Sequence, residues 1–276
     1  MSQEITINTF NPFSARYPDE KVVSSETLEI IKDLRSKGFI VNILPDDKRK
    51  LCYTFRKGAI DYISDPIVIF AASSIWAILL GIVSNRIDHR IQAQSDKRNS
   101  LKAAKKKIII HDKSNNGIYS LEGKKLNRKT ISDIDEQKSQ VISDYLLTMI
   151  ASPPNLNVRN PIFLEHAYNR IVGWGNVVLR NNTLEMIDCI ITEGFIEEDI
   201  KSGKIKGMSV AGIAKKSTCS ICNSDYVDCN HISGETYDNK LCTNTISKSL
   251  LADVSLVKEP INQSCLITIL NKMDDD

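Results

Sequence analysis

The sequence has almost no net charge to offer a polyanion. Its 36 Lys and Arg face 34 Asp and Glu, a formal charge of +2, so no overall electrostatic footprint for nucleic acid exists and none is expected as a partner. An apolar leader is also missing from its start, and its seven cysteines are an odd number. Both argue against a disulfide framework and for a reducing compartment. No His-Glu-x-x-His occurs, so the helical arrangement that presents a catalytic zinc and its base is lacking. What is present is the composition of an ordinary globular chain, with 276 residues for one large or two small domains.

Residues 1–64 read as a small α/β module. Ser24-Ser25-Glu26-Thr27 opens a helical period, with Leu28, Ile31 and Leu34 on one side and Gly38 at its stop. Phe39 to Leu44 then reads as a strand closed by Pro45. No catalytic pattern falls here, which leaves an interaction or sensing module.

Residues 65–85 hold the most apolar run, Pro66 to Val83, with no charged residue inside it. A membrane-crossing helix needs roughly 17–20 such residues, which makes a span the favoured reading, while Ser73, Ser74 and the marginal length fit a buried helix. A membrane span and a buried helix both stay open, and basic residues on either side leave orientation undecided. Residues 86–107 form a basic linker ending in Lys105-Lys106-Lys107, suited to anionic lipid beside a membrane or simply to solvent. Within 108–154, Ile108 to His111 and Gly117 to Leu121 predict a hairpin around Asn115-Asn116-Gly117. Ser132 to Ile150 reads as a helix broken by Pro153-Pro154. His89 and His111 read as ordinary surface or turn histidines.

Residues 155–276 change to a β pattern. Val177 to Arg180 and Thr183 to Ile191 flank Asn181-Asn182, a hairpin signal, and Phe195 to Lys204 reads as a short helix ending near Gly203. Three segments here carry chemistry. Lys206 to Ile213 holds Ser209 between a glycine and small or apolar residues, Phe163 to Gly175 holds His166, and Leu251 to Val257 holds Asp253. A serine, a histidine and a carboxylate on separate strands are the parts of nucleophilic acyl transfer: nucleophile, proton carrier and orienting acid. Glu165 competes for the third role. It ranks below Asp253, because neighbours on a strand point to opposite faces.

The order and wording of these segments resemble the prohead (capsid maturation) proteases of tailed phages, which share a fold with the herpesvirus assemblins. The resembling residues are His166 followed by Ile171-Val172-Gly173-Trp174, the nucleophile-like Gly207-Met208-Ser209-Val210, and Asp253-Val254-Ser255-Leu256-Val257. They cover about the last two-fifths of the chain. The resemblance implies a small β-barrel with flanking helices, a Ser209–His166–Asp253 triad, a protein substrate, which in phage relatives includes the protease itself, and a homodimer. It places the oxyanion donors near Val257 to Ile261, where Lys258-Glu259-Pro260 departs from the Arg-Arg pair of the assemblins.

A second cluster lies in an insertion at 217–243: Cys219-Ser-Ile-Cys222, then Cys229-Asn-His231, then Cys242. A Cys-x-x-Cys pair grips a metal from one turn, and a close Cys-x-His supplies two further corners of a tetrahedron. Five candidates compete for four places. Cys219, Cys222, Cys229 and His231 are the favoured set, with Cys242 as substitute, and buried free thiols are the alternative. The expected metal is a structural Zn2+, because no carboxylate is poised to activate a bound water. Some phage protease-like proteins carry a similar Cys/His-rich insertion before the corresponding strand, which adds to the resemblance.

These readings predict an α+β protein: a small α/β module, an apolar helix, and an assemblin-like barrel stapled by zinc. The function that follows is a serine endopeptidase, cytoplasmic or on the cytoplasmic side of a membrane, in a bacterial or phage-related setting. The rival is a non-enzymatic membrane adaptor that uses the same domain to bind a partner.

Overall fold

The computed structural model describes residues 4–8, 11, 13, 17–56, 67–71, 107–112, 118–122, 125–129, 160–181, 183–260 and 265–267. The chain divides into two compact units. The first takes Met1–Phe55, Ile60–Ser143 and Ile213–Leu250, and the second takes Arg56–Ala59, Asp144–Gly212 and Leu251–Asp276.

The first unit opens with β1 (Glu4–Asn8), β2 (Lys21–Val23), α1 (Ser25–Ser36), β3 (Ile40–Leu44) and β4 (Leu51–Arg56). Helix α1 starts where its cap dictates: the Ser24 side chain accepts a hydrogen bond from the Thr27 N–H. It stops at Gly38, whose φ of +84° suits a residue without a Cβ. The connection through α1 leaves β3 parallel to β1, in the register Glu4 to Ile40 through Asn8 to Leu44. Ile5, Ile7, Ile30, Ile31 and Leu34 are buried here.

The strand β5 (Ile67–Ala71) pairs antiparallel with β1 and parallel with β6 (Lys107–Asp112). Next come β7 (Ile118–Glu122) and β8 (Lys125–Lys129), giving the sheet order β3-β1-β5-β6-β7-β8. The antiparallel β6–β7 pair is the hairpin expected around Asn115-Asn116-Gly117, and His111 lies on β6.

Strand β5 corrects the helical reading of Pro66 to Val83. Its Ile-Val-Ile-Phe is β-branched and aromatic, and an uncharged run of that kind serves a strand paired on both edges as well as a helix. Among the described residues no helix is long and apolar enough to cross a membrane. The remainder of that run, nearly all of the basic linker and the helix expected at Ser132 to Ile150 lie outside the described residues.

The second unit is built on β9 (Asn160–Leu164), β10 (Ala167–Arg180), β11 (Thr183–Ile191) and α2 (Gly194–Lys201). Two long strands, β12 (Gly207–Cys219) and β15 (Asn244–Val257), contribute Gly207 to Gly212 and Leu251 to Val257 to this unit and their other halves to the first, which also holds the short pair β13 (Thr236–Tyr237) and β14 (Lys240–Leu241). The strand order here is β11-β10-β9-β15-β12. The β10–β11 hairpin turns at Asn181, φ +49°, and α2 gives way to Gly203 at φ +72°, both close to where they were expected. Ile162, Val172, Ile196, Ile205 and Leu256 form the core, with Met208 packed against them.

The expected α+β class and closed barrel do not hold. The described residues are mostly strand, with two helices and no closed barrel. Strand β11 ends the sheet without pairing back to β12. The barrel rested on three short motifs, and such motifs specify strands and turns but not the closure of a sheet.

Candidate functional site

In the second unit, β9 and β10 are joined by only two residues, Glu165 and His166, between the paired Leu164 and Ala167. Both have positive φ, 50° and 60°, the backbone of a tight primed hairpin turn. His166 therefore sits on a turn and not on a strand. Left-handed backbone costs a non-glycine residue on the order of 1–2 kcal/mol, so something must hold the pair there.

Side chains do so. His166 Nδ1 lies 2.8 Å from Asp253 Oδ1, and Ser255 Oγ donates to the same oxygen at 3.1 Å. Glu165 donates its N–H to Leu256 O at 2.9 Å and accepts the Lys258 N–H on Oε1 at 2.8 Å. Strand alternation ranks Glu165 below Asp253. The structure gives a different reason: Glu165 ties the turn to the end of β15, and Asp253 meets the imidazole. His166 is 5% exposed, Asp253 2% and Ser255 0%, so a buried carboxylate is held by directed donors.

Ser209 lies on β12, next to β15 in the sheet, and is half-buried. Met208 and Leu256 share one core cluster. Because side chains alternate along a strand, Ser209 on β12 and Ser255 and Asp253 on β15 point to the other face. Parallel pairing of Ser255 with Phe163 and of Val254 with Ile162 fits that assignment, since Ile162 belongs to the Leu256 cluster. Among the described residues, no hydrogen bond joins Ser209 to His166. A Cβ on Gly207 would lie 2.4 Å from Cys265 O and 2.5 Å from Pro260 Cγ. Glycine there admits the segment that receives the Met208 N–H on Cys265 O at 2.8 Å. Of the segment expected to carry oxyanion donors, the Lys258 N–H is already engaged by Glu165.

In the first unit, donor atoms of Cys219, Cys222, Cys229 and His231 lie within 4.8 Å of one another, and this Cys3His cluster can hold a metal ion. Turns bring them together: Cys219 ends β12, and its sulfur accepts the Ile221 N–H at 3.4 Å. His231 presents Nδ1 to Cys219 Sγ at 3.7 Å and packs edge-on against Tyr237 at 4.6 Å. A tetrahedral site with metal–sulfur bonds of about 2.3 Å has sulfur–sulfur edges of about 3.8 Å. Cys242 Sγ sits 3.8 Å from Cys219 Sγ yet falls outside the mutually close four.

Burial pushes the Cys219 thiol up, but hydrogen bonds from the backbone of Cys222 and Ile221 and from neighbouring thiols outweigh it and bring it down to about 7. Cys242 goes the other way, pushed up to about 12 by burial and then by Cys219. Cys222 is also brought down, by hydrogen bonds that outweigh its burial, so two thiols of the donor set incline to ionise while Cys242, outside it, inclines to keep its proton. Cys229 also goes up, through burial, against the pull of the Lys32 ammonium.

No protein-family model, curated protein or solved structure matches this chain.

Two residues escaped the sequence reading. Ser255 was visible as the second residue after Asp253, a spacing that puts both on one strand face. Lys32 lies four residues after Leu28, on the apolar stripe of α1, and is fully buried beside the Cys/His cluster. A cation inside an otherwise apolar stripe was the signal. All seven cysteines are free thiols.

Proposed function

We propose that this protein is a serine hydrolase of the peptidase type, with Ser209 as nucleophile, His166 as proton carrier and Asp253 as orienting acid. The observation that carries the reading is the buried 2.8 Å contact between His166 Nδ1 and Asp253 Oδ1. A carboxylate at Nδ1 selects the tautomer with its proton there, and that leaves the Nε2 lone pair to act as base.

In the first half-reaction, Ser209 Oγ bonds to the substrate carbonyl carbon as its proton passes to His166 Nε2. That proton then goes to the leaving amine as the peptide C–N bond breaks, leaving an ester on Ser209. Water repeats the sequence: His166 takes one water proton, hydroxide adds to the ester carbonyl, and the proton returns to Ser209 as the acid departs. The resemblance to prohead proteases favours a protein substrate.

The metal centre is read as a zinc site with Cys219, Cys222, Cys229 and His231 as its ligands. A three-thiolate, one-imidazole donor set suits that ion, and four protein ligands leave no open position for a substrate. Its contribution is folding free energy, which places it outside the chemistry.

A second reading, a protein-binding module without catalysis, is favoured by one observation: among the described residues Ser209 makes no hydrogen bond to His166. Catalytic hydrogen bonds are often long before substrate binds, so the hydrolase reading stands first. A fluorophosphonate probe separates the two. Intact mass should show one adduct on the parent chain and none on Ser209→Ala or His166→Ala; a metal-loaded parent without adduct would favour the binding module.

A further inference from the structure

The Cys3His cluster does not stand alone in the first unit. Lys32 projects from α1 with no exposure to solvent. Its ammonium donates to the carbonyl of His231 at 2.7 Å, to the carbonyl of Tyr226 and to Cys229 Sγ at 3.4 Å. It also lies 3.5 Å from the centre of the Tyr226 ring. One turn on, Arg35 donates to the carbonyl of Val227 at 3.0 Å, and Leu28 shares a core cluster with Cys219, Tyr226, Val227 and Cys242. The Leu28–Lys32–Arg35 stripe of α1 thus grips the loop that carries two of the four donors.

We propose that Lys32 is the built-in counter-cation of the metal centre, joining metal binding to the docking of helix α1. The inference rests on the metal reading given above. Three thiolates and one imidazole around a divalent ion carry one net negative charge. Cys219 is buried and Cys229 half-buried, while Cys222 reaches solvent, and charge on the buried side of the centre is stabilised when it is paired and hydrogen-bonded. Lys32 brings one positive charge to one of the sulfurs, and its other donors satisfy carbonyls at Tyr226 and His231. Replacing the imidazole with a fourth thiolate would leave the balance one charge short. The counter-cation therefore favours the set that includes His231 and leaves Cys242 as a neutral neighbour of Cys219. As a positioning residue, Lys32 acts through the Cys229 sulfur and never touches the ion.

Cobalt(II) reports this directly, because its charge-transfer band tracks the electron density on the sulfurs. The full-length parent should bind one Co2+ with a tetrahedral spectrum. Lys32→Met, which keeps length and apolar bulk, should bind it at least tenfold more weakly, with the band moved to longer wavelength as a thiolate loses its donor. Lys32→Arg should recover most of both. Leu28→Ala, on the same helix face, should lower stability with the band unmoved. Unchanged affinity and band position in Lys32→Met would overturn the role of Lys32 while leaving the metal centre standing. A parent that binds no Co2+ stoichiometrically would overturn the metal reading and this inference with it. Should Lys32→Met not fold, hydrogen exchange on the parent decides. Chelation should deprotect residues 28–35 together with 219–231, and protection of α1 that survives metal removal would refute the coupling.

Discussion

Ser255 donates its hydroxyl to Asp253 Oδ1, the same oxygen that His166 Nδ1 meets. Two donors converge on one buried acceptor, and each limits what the other can do. Asp253→Asn keeps the shape but offers Nδ1 an amide, which can turn its own donor toward the ring and select the wrong tautomer. Fluorophosphonate labelling of Ser209 should slow by about 10^3- to 10^4-fold in this variant. Ser255→Ala should leave labelling within about tenfold of the parent and lower stability by about 1.5–3 kcal/mol, the range for losing a bond to a charged group. Labelling of Asp253→Asn at the parental rate would remove Asp253 from the chemistry.

The turn that carries His166 permits a sharper comparison. His166→Ala and His166→Gly both delete the imidazole and leave Asp253 without it, so both should fall well below the parent in stability. Glycine, however, adopts φ near +60° without strain, and alanine does not. His166→Gly should therefore be the more stable of the two by about 1 kcal/mol, read from urea midpoints. Equal midpoints would mean that the left-handed turn stores no strain.

Metal removal should act on one unit by preference. Chelation is expected to release one ion per chain and unfold the region from Cys219 to Cys242, since ligand binding and local folding are one equilibrium in such sites. Among single replacements, Cys222→Ser should abolish tight binding although Cys222 is exposed. Cys242→Ser, in spite of its burial, should cost only packing. Stoichiometry and affinity measured on both variants test the assignment, and tight binding by Cys222→Ser together with loss in Cys242→Ser would exchange their roles.

How far the chain could be read in advance depended on whether its signals were local. Ser24 and Gly38 bracket α1, and Asn181 turns the β10–β11 hairpin, because caps and turns are decided by a few adjacent residues. The Cys/His spacing was legible for the same reason. Ile67–Ala71 was not, since an uncharged β-branched run satisfies a strand and a membrane helix alike until its partners, β1 and β6, are known. The turn at Glu165-His166 was hidden because neither residue favours positive φ as Asn-Gly does; Asp253, Leu256 and Lys258, remote in sequence, hold it. Lys32 is inconspicuous within a helical stripe because only the fold brings Cys229 to it.

Alkaline pH should weaken the fold through Cys52. This buried thiol on β4 is pushed up from 9.0 to about 11, first by burial and then by the Glu20 carboxylate, whose Oε2 lies 3.7 Å from its sulfur. Below pH 9 the thiol is neutral in both folded and unfolded chains and contributes no slope. Above that, the unfolded chain gives up the proton while the folded one keeps it, so the unfolded state binds fewer protons and stability falls as pH rises. The loss should develop between pH 9 and about 11, with a slope of at most about 1.4 kcal/mol per pH unit for one proton. Tyr53, the next residue, is also raised by burial and adds a loss in the same direction. Denaturant midpoints of the metal-loaded protein across this window, for the parent and Cys52→Ala, isolate the thiol. The variant starts lower because of the lost packing but should decline less steeply. Parallel curves would show that the Cys52 proton plays no part in alkaline unfolding.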